Sequence, residues 1–284
     1  MTRHHIRSLL ACAAMASAPA AMAAEGYDNC TGFIDAVPVV ISSQGTWCLR
    51  HDVSTAVTEG SAIEIAANNV TIDCNGFKVG GLAAGVATNA AGIETIARNN
   101  ATVRNCSVRG FRFGIQLSGP GGHLVEDNRV EASTATGIQV TGDGALIRRN
   151  TLVDIGGSPT AAITIGIYAE GVVDVQDNTI VGVLPVSTGD HFAYGIRTMN
   201  NNGADISGNR VRGVISVGTG AARGIYLGSN VRVTMVDNYL VGDDRPGGIG
   251  LRCNNNLART RDNIVADFPT GISACTDDGY VVSP

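Results

Sequence analysis

Residues 114–130 read G-I-Q-L-S-G-P-G-G-H-L-V-E-D-N-R-V, and this pattern returns along most of the chain. A Gly-Ile pair opens a short alternating stretch. Some 12 to 15 residues later comes an Asn, followed two residues on in most copies by a β-branched or aliphatic residue. The Gly-Ile pairs start at Gly92, Gly114, Gly137, Gly166, Gly195, Gly224, Gly248 and Gly271, with successive spacings of 22, 23, 29, 29, 29, 24 and 23. The matching Asn residues are Asn105, Asn128, Asn150, Asn178, Asn209, Asn238 and Asn263.

The inside of the period decides what it builds. Apolar residues alternate, as in Ile138 and Val140, Ile167 and Ala169, Ile225 and Leu227. Alternation means strands with one face buried, whereas helical repeats would show apolar steps of three and four. Two or three short strands per repeat, with no helical segment, describe one coil of a parallel β-helix. Coils stack at the interstrand spacing, so about nine of them make an all-β rod roughly 40 Å long. The repeated Asn fits a bend between strands, where Asn tolerates unusual φ/ψ, and stacked amides can bond coil to coil. The acids before it, Asp127, Asp177, Asp237 and Asp262, read as solvated turn residues.

This repeat resembles the right-handed parallel β-helix repeat of the pectin-lyase-like superfamily, including periplasmic NosD-like and alginate-epimerase-like proteins. The resemblance covers about residues 62–278. It implies a single-stranded, right-handed solenoid and says little about function, because that superfamily holds lyases, hydrolases, epimerases, adhesins and proteins without known activity. Ca²⁺ enters as a cofactor only through this resemblance; no cofactor or metal site is read from the residues.

Three segments are expected: a signal peptide over 1–23, an N-terminal cap over 24–61 and the β-helix over 62–284. Arg3, His4, His5 and Arg7 precede an apolar run that ends in Ala21-Met22-Ala23, an A-x-A cleavage site. The chain is therefore expected to be cleaved after Ala23 and secreted or periplasmic. Leu9-Leu10-Ala11-Cys12 looks like a lipoprotein box, but only four residues separate Arg7 from Cys12, too few for its apolar core. No later stretch approaches 18 uncharged apolar residues, so no membrane span is expected. The formal charge of −5 falls to −7 once Arg3 and Arg7 leave, and Lys78 is the sole lysine. An acidic surface with no basic run argues against nucleic acid as a partner. A monomer is expected. Val39-Val40-Ile41 and Thr46-Trp47-Cys48-Leu49 read as strands of the cap, with Trp47 in its core.

Six cysteines remain, Cys30, Cys48, Cys74, Cys106, Cys253 and Cys275. An even count in an exported chain implies disulfides. Cys74 and Cys106 take near-equivalent places on neighbouring coils, as do Cys253 and Cys275, which predicts Cys30–Cys48, Cys74–Cys106 and Cys253–Cys275. None has C-x-x-C spacing, so a metal site is not expected.

No catalytic signature is present, neither G-x-S-x-G nor H-E-x-x-H nor a nucleotide loop. Geometry must locate a site. The three long repeats place extra residues at 157–164, 184–193 and 215–222, and stacking sets these loops side by side, as on many binding faces. The residue after each Gly-Ile points outward. That column reads Glu94, Gln116, Gln139, Tyr168, Arg197, Tyr226, Gly250, Ser273, so Tyr-Arg-Tyr falls on the long-loop repeats. Glu170, Asp190, His191, Tyr194 and Arg223 are expected beside it. These groups suit uronate chemistry: Arg197 could neutralise a carboxylate, His191 could act as base, and Tyr168 or Tyr226 could donate a proton. Glu170, Asp190, Tyr194 and Arg223 would bind substrate. Two readings stay open at the level of sequence. One is an exported solenoid that binds polysaccharide or cell-envelope glycan on this face. The other is a polysaccharide lyase or epimerase acting on a uronate-containing polymer.

Overall fold

The computed structural model describes residues 27–186, 188–229, 232–254 and 257–283. The expected signal peptide lies outside them. The chain winds through three parallel sheets of 10, 11 and 10 strands. In one coil, Phe113–Gly121 lies in the first sheet, Leu124–Glu126 in the second and Arg129–Glu131 in the third. The next coil repeats this with Thr136–Asp143, Ala145–Arg148 and Thr151–Ile155. Equivalent strands pair in parallel, Ile115 with Ile138, Val125 with Ile147, Val130 with Leu152. The only helix among the described residues is a 3₁₀ turn at Leu82–Ala84.

The region expected to cap the rod is wound into it. Val39–Ile41 joins the first sheet, Gly32–Ile34 and Gly45–Leu49 the second, and Val53–Ser54 the third. Trp47 packs over Gly32, where an added Cβ would sit 2.5 Å from the indole ring.

The interior is made of columns. Ile93, Ile115, Ile138, Ile167, Ile196, Ile225 and Leu251 are fully buried in the first sheet, one per coil. Each such side chain contributes about 1.5–3 kcal/mol through burial. The preceding glycine is required by close approach. A Cβ on Gly195 would fall 2.4 Å from Val211 Cγ1 and 2.6 Å from the Gly224 carbonyl oxygen. At the corner between the second and third sheets, Asn128, Asn150, Asn178, Asn209, Asn238 and Asn263 are all buried. Each Asn from 128 to 238 donates Nδ2 to Oδ1 of the Asn one coil later, at 2.9–3.0 Å. The same oxygen also takes the earlier residue's backbone N–H, as in Asn150 to Asn178 at 3.0 Å.

Two expectations about this corner are corrected. The unusual backbone falls on the residue before the ladder Asn: Asp127, Asp177, Asp237 and Asp262 have φ of 56°, 55°, 56° and 55°, and Arg149 and Gly208 take the same place. These four acids are exposed, as solvated turn residues should be. And Asn105 is not a rung. Ser107 pairs with Arg129, which puts Asn105 level with Asp127 and Cys106 level with Asn128. Cys106 ends the ladder by donating its backbone N–H to Asn128 Oδ1 at 3.0 Å. At the other end Thr260 Oγ1 meets Asn263 Nδ2 in place of a further amide.

All three disulfides form as paired from the sequence, with Cα–Cα distances of 5.8 Å for Cys30–Cys48, 4.7 Å for Cys74–Cys106 and 5.1 Å for Cys253–Cys275.

Candidate functional site

The first sheet carries the Tyr-Arg-Tyr column. Tyr168 pairs with Arg197, and Arg197 with Tyr226, in direct parallel register. Half-buried on the sheet, the Arg197 guanidinium carbon lies 5.9, 5.3 and 6.0 Å from the ring centroids of Tyr168, Tyr194 and Tyr226. That is cation–π range for each ring. Tyr194 tilts against Tyr226 with centroids 5.3 Å apart, and Phe192 stacks on Tyr194 at 6.4 Å. The Arg197 Nε is enclosed without a hydrogen-bond partner, and its terminal nitrogen reaches only Met199 Sδ, at 4.0 Å. Among the described residues no carboxylate pairs with Arg197.

Glu170 is adjacent but engaged. It accepts from Tyr168 Oη at 2.8 Å and from Asn200 Nδ2 at 2.8 Å. Burial first, then the bond to Glu170, push the Tyr168 phenol up to about 12, against the opposing pull of Arg197. Burial likewise raises Tyr194. Arg223, level with Tyr194, donates to the carbonyls of Ala222 at 3.0 Å and Gly247 at 2.8 Å. Burial, and secondarily nearby Arg252, lower its proton affinity. Tyr226 Oη reaches Asn254 Oδ1 at 3.3 Å.

The column continues differently from the sequence reading. Arg223 pairs with Ile249 and Ile225 with Leu251, so the glycine of this repeat is Gly250, and the residue after Tyr226 is Arg252. Gly250, expected in the column, is instead the close-approach glycine, whose Cβ would lie 2.2 Å from Val265 Cγ1. Arg252 hydrogen-bonds Ser273 Oγ through Nη1 and, like Arg197, has no carboxylate partner among the described residues. The signal that could have found it is the apolar alternation of Leu251 and Cys253, which frames Arg252 as outward.

His191 and Asp190 serve the loops. His191 Nδ1 lies 2.9 Å from the Ala161 carbonyl and Nε2 2.6 Å from that of Thr188, and its backbone bridges Val217. Asp190 Oδ1 accepts the Thr219 N–H at 2.7 Å, which holds its carboxyl below the usual range. The three long loops do stack, as expected, and these two residues supply side-chain bonds between them beside the backbone bonds of Phe192 and Ala193. The structure thus brings together Tyr168, Glu170, Tyr194, Arg197, Arg223 and Tyr226, and leaves His191 and Asp190 outside that contact set. A groove of about 370 Å³ elsewhere, on the second sheet, is lined by Ala204, Val233, Thr234 and Arg259 and has no aromatic ring.

A solenoid of three parallel sheets, with polar and aromatic columns on one flank, defines a parallel β-helix protein. The chain belongs to the right-handed β-helix region family, whose model matches residues 40–211. No curated protein matches it. Among solved structures, it is similar to a mutant DFA-IIIase from Arthrobacter chlorophenolicus A6 in complex with DFA-III, at 14% identity and TM-score 0.46, covering 83% of this chain and 63% of that one. It is also similar to the tailspike protein of E. coli bacteriophage HK620 in complex with pentasaccharide, at 11% identity and TM-score 0.47, covering 90% of this chain and 55% of that one. A third is the A-module of a mannuronan C-5 epimerase from Azotobacter vinelandii, at 12% identity and TM-score 0.39, covering 88% of each chain. The chain spans less than two thirds of the first two, and the likeness is one of fold.

Proposed function

We propose that this is an exported β-helix protein that binds an acidic glycan on the first sheet. One observation carries the reading: Arg197 is held among three tyrosine rings, with an enclosed Nε and no carboxylate counter-charge among the described residues. Tyrosine faces pack on the apolar faces of sugar rings, and a positioned guanidinium takes a carboxylate or sulfate in two parallel bonds. Three disulfides in a chain of this size fit an oxidising compartment.

Binding is favoured over proton abstraction from a uronate by the state of the groups that would do the chemistry. Both His191 nitrogens face carbonyls. The Tyr168 proton is held by Glu170 and is lost only far above neutral pH. A proton donor, like a base, works best with a proton affinity near the working pH, and the Tyr168 phenol lies far above it.

Calorimetric titration with uronate-bearing and neutral oligosaccharides tests the reading. The acidic set should bind and the neutral set should bind weakly or not at all. Arg197→Ala should abolish binding; because the half-buried guanidinium also packs against three rings, it should lower the melting temperature as well, and binding is read well below that temperature. Arg129→Ala, on the third sheet, is the control. Unsaturated-uronide absorbance appearing during incubation would replace this reading with that of a lyase.

A further inference from the structure

The binding column has a period of its own. Reading along the axis, the paired positions are Glu64, Glu94, Gln116, Gln139, Tyr168, Arg197, Tyr226, Arg252 and Ser273. Over the four positions from Tyr168 to Arg252, before Ser273 ends the column, aromatic and cation alternate. Arg197 and Arg252 are two coils apart, on the order of 10 Å at the interstrand spacing. Tyr226 stands between them. Neither arginine has a carboxylate partner among the described residues.

An anion placed over Tyr226 would meet the negative face of its ring, whereas an uncharged sugar ring stacks there well. An extended hexopyranose advances about as far as one coil. Resting on the acidic-glycan reading above, we propose that the ligand is a polysaccharide lying along the solenoid axis and turning a carboxylate or sulfate toward this face on every second sugar. Arg197 and Arg252 take the charged groups, and Tyr168 and Tyr226 stack on the sugars between. The other end of the column bounds the site. Glu64 and Glu94 stack in register as like charges and repel an acidic chain, and the neutral pair Gln116 and Gln139 separates them from Tyr168. The footprint from Tyr168 to Arg252 is three coil steps, roughly 15 Å, the reach of about four sugars.

The test uses two probes at fixed ionic strength: a disaccharide bearing one uronate and a tetrasaccharide in which uronate alternates with neutral N-acetylhexosamine. The intact protein should bind the tetrasaccharide at least about tenfold tighter, the gain expected of a second charge-assisted contact. Arg252→Gln, checked for folding by melting temperature, should remove that advantage and bring the tetrasaccharide down to about the affinity of the disaccharide. Arg197→Gln should weaken both probes. A tetrasaccharide advantage that survives Arg252→Gln, or its absence in the intact protein, overturns the two-coil period while leaving acidic-glycan binding standing. If neither probe binds the intact protein, the acidic-glycan reading falls as well.

Discussion

At the scale of single residues, the site is set by what each polar group already holds. Tyr168 shows this best. Its phenol is raised from an ordinary 10.0 to about 12, chiefly by burial and then by Glu170. The folded protein keeps this proton longer than the unfolded chain does. The contribution to stability is therefore intact below about pH 10 and declines as pH rises through about 12. Ultraviolet titration of phenolate absorbance should show a late step to which Tyr168 and Tyr194 both contribute, and Tyr168→Phe should diminish it. A Tyr168→Phe titration with a late step of undiminished amplitude would assign the shift to other rings. The sequence placed Tyr168, Arg197 and Tyr226 together because alternation fixes which face a strand residue takes. It could not place His191, because a loop residue's partners depend on loop paths that no periodicity governs. The carbonyls of Ala161 and Thr188 that hold His191 come from two different loops.

At the scale of the repeated element, the corner between the second and third sheets divides labour between adjacent residues. The exposed one takes the left-handed backbone, and the buried one binds the coils on either side. Asn178 accepts from the backbone and side chain of Asn150 and donates to Asn209 and the Ile147 carbonyl. Asn178→Ala should leave the buried Asn150 N–H unsatisfied, while the Asn150 side-chain amide keeps the Val125 and Arg148 carbonyls, and should cost about 1–3 kcal/mol. Asp177→Gly should cost far less, since Gly208 holds that place one coil later. Denaturant midpoints of the two variants check the contrast; equal losses would mean that the ladder carries no special share of stability. The ladder was legible in the spacing of Asn and its apolar companion. One misplaced rung and one misplaced glycine show where spacing fails. Asn105 lacks the apolar residue two positions on, and that residue, Val108, follows Cys106 instead. Gly247-Gly248-Ile249-Gly250-Leu251 offers two Gly-aliphatic pairs, and only the interstrand register chooses Gly250-Leu251.

At the scale of the whole molecule, stability is a sum over neighbouring coils, with the covalent clamps at the two ends. Cys30–Cys48 and Cys74–Cys106 tie the first coils and Cys253–Cys275 the last, while the middle is tied by amides. The proposed export predicts an intact mass for residues 24–284 with all six remaining cysteines oxidised. Reduction should then fray the ends first. Hydrogen exchange should rise at the terminal coils while amides near Asn150, Asn178 and Asn209 stay protected, because local opening follows local contacts. Uniform loss of protection would show that the rod unfolds as one unit. The solenoid was legible from the repeat alone, since each coil obeys the same local rule; where it begins was not, because residues 32–54 join the sheets without showing the Gly-Ile pattern.

The row of buried amides also has an electrical sense. Each side-chain carbonyl points toward the N-terminal neighbour and each bridging N–H toward the C-terminal one, from Asn128 through Asn238. Aligned amide dipoles add along an axis, as peptide units do in a helix. The rod therefore carries a permanent internal polarisation, shielded from solvent, with its positive pole at the coil of Asn263. That coil also bears Arg252. The Arg252 guanidinium on the outer flank and the positive end of the interior dipole row thus fall on one coil.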